Sequence, residues 1–268
     1  MSVIQMKEGG IEAGSTVFVN GLGQSTFPYG GTHTVLGMLP AFVHPNPKNA
    51  LVIGLGSGDT AHGLAGRLDI EDVTSIEIVR PQLATLRMLD ARGGYGGLRA
   101  LLQDPRIAHV VGDGRVYLMR TGRKYDIIEA DALRPTSAYA GNLFSDAYFE
   151  MVRKHLNPGG LAATWEPAVS RVRATFVRVF PYVLSFPKVL LGSNDPIVFD
   201  PVVVASRLAD PQVREYYRRA GIDVEQLMSL YLSGPSRRYG PDFDRSTLTD
   251  FNTDLFPRDE YDLRRPPR

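Results

Sequence analysis

Three acidic residues stand where β-rich runs end. Glu77 closes Thr74-Ser-Ile-Glu77, Asp113 sits between glycines in Gly112-Asp113-Gly114, and Asp131 follows Tyr125-Asp-Ile-Ile-Glu-Ala130. Ahead of them Leu51-Val-Ile53 runs into Gly54-Leu-Gly56-Ser57-Gly58-Asp59-Thr60. Glycines after a first strand let backbone approach a ligand and open the N-terminus of the next helix. The spacing is GxGxG, not the GxGxxG dinucleotide fingerprint, so a tight turn without a ligand competes with this reading. An acid at the end of the next parallel strand, here Glu77, lies where it would accept hydrogen bonds from both hydroxyls of a ribose diol. Asp113 suits an adenine amino group, or else makes a plain Asp-Gly turn. No Walker lysine follows the glycines, which argues against a nucleoside triphosphate.

Such acids meet only if their strands lie side by side. Strand-like segments at 50–53, 74–79, 107–111, 125–130 and 160–165 are separated by helix-like ones, 81–91 with Pro81 in its first turn and 145–156 ending at Asn157-Pro-Gly-Gly160. That alternation implies parallel βαβ units, hence an α/β fold with a doubly wound, Rossmann-like, mostly parallel sheet and the acids at its switch point. A small β-arm precedes it, with a strand at 16–20 turning at Gly21-Leu-Gly23, and a helix is expected over 33–42. The expected division is 1–32 for the arm, 33–185 for the cofactor-binding domain and 186–268 for a C-terminal extension. The extension, with helices over 210–220 and 224–232, has too few apolar residues for its own core and should pack on the same domain.

The charge balance, 30 Lys and Arg against 29 Asp and Glu, gives no global field for nucleic acid or an anionic membrane. With no cysteine, disulfides, Cys-bound metal and thiol catalysis are excluded. His44, His62, His109 and His155 lack ligand spacing, so no metal is expected. No apolar run approaches the ~18–20 residues of a membrane span, and the start lacks a signal-peptide pattern. The expectation is a cytoplasmic protein without nucleic-acid or membrane partners.

In order and spacing, a longer series of residues resembles the spermidine synthase family, the polyamine aminopropyltransferases. It runs through Phe18-Val-Asn-Gly21, Gln24-Ser-Thr26, Leu51 to Gly58, Ser75-Ile-Glu-Ile78, Asp104-Pro-Arg106, Gly112-Asp-Gly114, Tyr125-Asp-Ile-Ile128, Asp131, Leu143-Phe144 and Leu156-Asn-Pro-Gly-Gly160. The resemblance implies a class I methyltransferase-like domain whose ligand is S-adenosylmethionine or its decarboxylated form, without metal. It implies that Gly54, Gly56, Ser57, Gly58 and Gly114 shape the cofactor site, that Glu77 holds the ribose and Asp113 the adenine, and that Gln24 borders the site from the arm. Asp131 would take the proton from an attacking amine. A homodimer is implied by analogy.

Departures bear on the substrate. Where the family has an acid in its glycine loop, this chain has Ser57, and where it has a second acid after the Asp131 position, this chain has Arg134. An ammonium buried without an acid costs several kcal/mol, so putrescine is a poor acceptor on this reading. A cofactor that keeps its carboxylate tolerates Ser57 better, and Arg134 would pair with that carboxylate or with an anionic acceptor, or else is a surface residue. His33 is a second candidate base, or a packed or capping histidine. Tyr29 and Tyr139 are candidate walls of the acceptor pocket, or ordinary loop aromatics. The loop 135–142 reads as a mobile lid, and Trp165 as core packing near the floor of the site. The expected function is alkyl transfer, aminopropyl or related, from the sulfonium nucleoside to a small-molecule acceptor. The alternatives are methyl transfer and a non-catalytic cofactor-binding domain.

Overall fold

The computed structural model describes residues 2–7, 10–19, 21–130, 133–167 and 171–262. The chain opens with a three-stranded antiparallel sheet of β1 (Ser2–Lys7), β2 (Gly10–Val19) and β3 (Leu22–Phe27), one strand more than the sequence suggests. Helix α1 (Thr32–Val43) leads to β4 (Asn49–Ile53) and α2 (Asp59–Ala65). Then follow β5 (Asp72–Glu77), α3 (Gln82–Ala91), α4 (Gly96–Gln103), β6 (Ile107–Val111), α5 (Gly114–Arg120), β7 (Tyr125–Ala130), α6 (Asp146–Lys154) and β8 (Leu156–Trp165).

Strands β6, β5, β4, β7 and β8 lie side by side in that order and run parallel. The chain leaves β4 for β5 and β6 on one side and returns for β7 and β8 on the other, so a crevice opens between β4 and β7 at their carboxyl ends. After α7 (Val172–Val179), β9 (Tyr182–Phe186) and β10 (Val189–Ser193) form a hairpin that adds antiparallel to β8, and the short β11 (Arg237–Tyr239) pairs with β9. The division expected at 185/186 falls within this hairpin.

Asn157-Pro-Gly-Gly160, read as a helix stop, instead begins β8 with a bulge: Tyr125 pairs with Leu156, whereas Ile127 pairs with Leu161. Gly159 takes φ +74°, which an L side chain rarely adopts. The two faces of the sheet carry separate apolar cores, one holding Leu36, Val52, Ile127 and Leu191, the other Leu51, Ile128, Phe149 and Leu190. Alternation along each strand produces this division. Helices α8 (Pro201–Leu208), α9 (Pro211–Arg218) and α10 (Val224–Ser233) bury Val204, Val213, Tyr217 and Met228 in the first core.

One crossing sets the site. Helices α1 and α2 touch backbone to backbone: a Cβ on Gly37 would lie 2.2 Å from the Thr60 carbonyl oxygen, and one on Gly63 would lie 2.5 Å from that of Thr34. Glycine at both positions brings the start of α1 against the start of α2, and so His33 and Thr34 to Asp59. No helix among the described residues is long and apolar enough to cross a membrane.

Candidate active site

A cavity of about 480 Å³ opens at the carboxyl ends of β4, β5, β6 and β7. The turn after β4 forms its near wall. Gly54, Gly56 and Gly58 have φ of +103°, +52° and +89°, and this geometry aims loop amides at the end of β5. There Glu77 Oε2 accepts from Leu55 N (2.9 Å) and Gly56 N (3.4 Å), and Oε1 accepts from Val79 N (2.7 Å). The arm clamps the same turn from outside: Ser57 N donates to Ser25 Oγ (2.8 Å), and the Tyr29 hydroxyl donates to the Ser57 carbonyl (2.7 Å).

Asp113 caps α5. Its Oδ1 accepts from Arg115 N (2.8 Å) and Val116 N (3.0 Å), while Oδ2 takes no hydrogen bond from the described residues. Behind it Gly114 must lack a side chain, because a Cβ there would lie 2.3 Å from Ile53 Cγ2. The far wall comes from the segment after β7, through Leu133, Ala138, Tyr139, Asn142 and Leu143. The loop 135–142, expected to be a lid, is anchored at its C-terminal end. Arg115 donates to the Asn142 carbonyl (2.8 Å) and pairs with Asp254 (2.9 Å), and Gly141 N donates to Glu260.

Nine of the residues picked from sequence line this one cavity: Gln24, His33, Gly54, Gly56, Ser57, Glu77, Asp113, Gly114 and Tyr139. Three others do not. Gly58 is the left-handed cap of α2, where a Cβ would lie 2.0 Å from Leu101 Cδ2, so its role is steric. Tyr29 is buried among Phe27, Tyr95 and His62, and it props the glycine turn rather than walling an acceptor. Arg134 donates to the Gly23 carbonyl on the arm (3.3 Å) and is not among the residues that line this cavity. Asp131 lies outside the described residues.

Residues 30–175 match the spermine/spermidine synthase domain. The chain belongs to the spermine/spermidine synthase family. Among its relatives, a polyamine aminopropyltransferase of Thermococcus onnurineus is 33% identical over 123 residues, which is 45% of this chain and 41% of that protein. One from Shouchella clausii is 26% identical over 230 residues, 76% of this chain and 78% of that one. The first three curated relatives are matched over only 41%, 42% and 43% of their length. A solved structure described as a probable spermidine synthase from Corynebacterium glutamicum shares the fold, with a TM-score of 0.59 at 16% identity over 94% of this chain and 91% of its own.

Against that family pattern, two acids in the cavity escaped the sequence reading. Asp59 starts α2 two residues after Ser57, is 4% exposed and accepts from Thr34 Oγ1 (2.5 Å). Since Gly30 N donates to Thr34 Oγ1 (2.7 Å), the threonine proton is directed at the carboxylate. Burial pushes the Asp59 carboxyl up to about 7, against the Thr34 hydrogen bonds and the nearby His33 charge, which pull it down. Glu129, on β7, is 1% exposed and lines the floor. After burial itself, its charge is the next cause that pushes the Tyr148 hydroxyl upward. An acid at an inward position of an otherwise apolar strand was the available signal for Glu129.

The lining is suited to a polar nucleoside. Gln24 Nε2 and Ser57 Oγ are buried with no hydrogen-bond partner among the described residues, and a bound ligand relieves such a cost. The cavity holds Glu77, Asp113, Asp59 and Glu129 against His33 and Arg115, the latter already paired with Asp254. No three His, Asp or Glu side chains among the described residues form a metal-binding cluster.

Proposed function

We propose that this chain transfers an aminopropyl group from decarboxylated S-adenosylmethionine to an amine acceptor other than putrescine. The observation that carries the reading is the excess of carboxylates in one cavity at the strand ends of a spermidine-synthase-family domain. Glu77 and Asp113 suit the ribose and the adenine. Asp59 and Glu129 remain to balance the sulfonium and the ammonium of the aminopropyl tail. Methyl transfer from the intact cofactor has less support, because the lining holds four acids and does not include Arg134, the candidate partner for a cofactor carboxylate.

Bound there, the donor would supply a sulfonium-activated carbon and leave as a neutral thioether. The acceptor nitrogen forms the C–N bond as the C–S bond breaks, the electron pair goes to sulfur, and the nitrogen gives up a proton. Asp131, directly after β7 in sequence, is the proposed base, with His33 the second candidate. The protein's part is orientation, proton removal and exclusion of water. Arg134, standing where the family keeps a second acid, leaves a diamine one counter-charge short, which supports an acceptor other than putrescine.

The test is calorimetry with decarboxylated and intact S-adenosylmethionine, followed by mass spectrometry for methylthioadenosine with an amine panel. The expected outcome is tighter binding of the decarboxylated form and methylthioadenosine release. Equal or tighter binding of the intact form, or methyl transfer, overturns the reading. Asp131→Asn is expected to abolish turnover while donor affinity stays within about twofold, and near-normal turnover would remove Asp131 from the base role.

A further inference from the structure

A second cavity, of about 540 Å³, sits where the sheet turns antiparallel, with Trp165, Glu166, Arg173, Lys188 and Arg237 among its walls. It shares no lining residue with the first, so the contacts that select an acceptor belong to the first cavity alone. Within that cavity the two sides differ in chemistry. Glu77 and Asp113 stand at the ends of β5 and β6, and Arg115 ties the Asn142 end of the covering segment to α5 on the same side. The other side is made by the arm, the start of α1 and the residues after β7. Its lining is Val19, Gln24, His33 and Leu133. Arg134 bonds to Gly23, next to Gln24, which brings the start of the covering segment against the arm.

No described lining residue on this second side is an acid, since Asp59 and Glu129 come from α2 and β7. Val19 and Leu133 are partly buried, so each leaves some apolar surface uncovered. Gln24 Nε2 is buried without a hydrogen-bond partner among the described residues. It is a donor, and an ammonium beside it would satisfy neither group. Tyr139 adds an aromatic face. It lines the cavity although 83% of it is exposed. Its φ is +67°, and among the described residues only Tyr139 and Lys188 are non-glycine residues at positive φ. Its ring stacks on no other ring, and its hydroxyl takes no hydrogen bond among the described residues. Backbone strain of this kind clusters at ligand clamps.

We infer that the acceptor is a primary monoamine with an apolar body, which lays its hydrocarbon or aryl end against Val19, Leu133 and Tyr139. The inference rests on the aminopropyl-transfer reading for its chemistry. The neutral amine nitrogen forms the new C–N bond as the C–S bond breaks, and the electron pair leaves with sulfur in methylthioadenosine. The proton lost by nitrogen goes to the base proposed for that reading. The apolar end takes no part in the reaction. One acid then serves the reacting nitrogen, whereas a diamine needs another for its far ammonium.

The test uses the whole protein and matched pairs in which a methyl group replaces the far ammonium: pentylamine against putrescine, and hexylamine against cadaverine. Calorimetry, with and without methylthioadenosine, reads binding, and mass spectrometry of the alkylated amine reads turnover. Each monoamine is expected to bind at least tenfold tighter than its matched diamine, and each added methylene to tighten binding by up to about fourfold. The order in kcat/KM should be the same. Tyr139→Asn keeps a residue that tolerates left-handed backbone and removes the ring. It should raise KM about fivefold for the monoamines and leave the diamines as they were. Leu133→Asp should move the preference at least tenfold towards the diamines, and Val19→Asp makes the same test should that variant not fold. Diamines that bind as tightly as their matched monoamines, monoamines that do not bind, or a preference unmoved by the new acid in a folded variant would each overturn the inference, even where the donor turns over. Monoamine binding that follows this pattern where no donor turns over supports the acceptor pocket, and in that case only the aminopropyl reading fails.

Discussion

The two cavities at the carboxyl edge of the sheet differ in construction as much as in charge. The first is made by parallel strands, whose ends and glycine turns bring Glu77, Asp113, Asp59 and Glu129 together from four separate elements. The second is made where the sheet turns antiparallel, and apart from Arg173, which pairs with Glu166, its cations come from a hairpin turn and a three-residue edge strand. Parallel βαβ units repeatedly present strand ends to one crevice, which is why acids far apart in sequence converge. An antiparallel addition offers only local turns, so its chemistry depends on single residues such as Lys188. The first cavity should therefore fail by degrees as its acids are removed one at a time. The second should change sign with one or two substitutions.

Glu77→Gln is the largest expected break in this contrast. The carboxylate accepts three backbone amides of the turn and the β5 end, and it is also the proposed ribose partner. Charge-assisted hydrogen bonds contribute roughly 1.5–3 kcal/mol each, so loss of about two such bonds weakens donor binding ~100-fold or more. Calorimetry measures it, and an affinity within fivefold of normal would show that the acids of the first cavity do not act as described.

Asp59 provides the next test, through pH. Its carboxyl stands at about 7 in the folded protein because of burial, and the groups that act on it are Thr34, His33, Tyr29 and Tyr217. A cationic donor favours the carboxylate, so affinity should be level above pH 7 and weaken by up to about tenfold per pH step below it. Asp59→Asn should remove that slope. Stability has the opposite sign. A carboxyl raised on folding contributes fully below its unfolded value near 4, and that contribution is lost as pH rises towards 7. Urea melts of the wild type should therefore weaken from pH 4 to 7. Asp59→Asn should stay flat and be the more stable protein at pH 8, and a destabilised variant at pH 8 would count against a costly buried charge.

Much of this was legible beforehand, for a physical reason. Strand ends in a parallel sheet are marked by apolar runs followed by glycine or acid, and Glu77, Asp113 and the glycine turn were found that way. Asp59 was passed over because an acid in the first turn of a helix reads as an ordinary dipole partner; only the α1–α2 crossing at Gly37 and Gly63 shows that it is enclosed. Tyr29 and Arg134, each open to a second reading in the sequence, do not line the cavity. Both are close to site residues in sequence, but Tyr29 turns into the core and Arg134 donates to the arm. The hairpin β9–β10 was missed because Pro187-Lys188 lacks the glycine or asparagine that normally marks a positive-φ turn. Trp165, read as core packing, does pack against the first core, and it also borders a second cavity whose other walls come partly from that hairpin.

The smallest expected effect concerns what covers the first cavity. There the segment 133–144 is tied to the C-terminal stretch through Arg115, Asp254, Ser145 and Glu260. The Arg115 guanidinium holds the Asp254 carboxyl below the usual range. A depressed carboxyl stabilises above its unfolded value near 4, and this is lost as pH falls below it. The pair is partly exposed, so solvent screening keeps its contribution under about 1 kcal/mol. Asp254→Asn should lower the urea midpoint slightly at pH 7, not at pH 3, and should weaken donor binding by about two- to fivefold, because Asn142 and Tyr139 lose their anchor. High salt should reproduce part of that loss in the wild type.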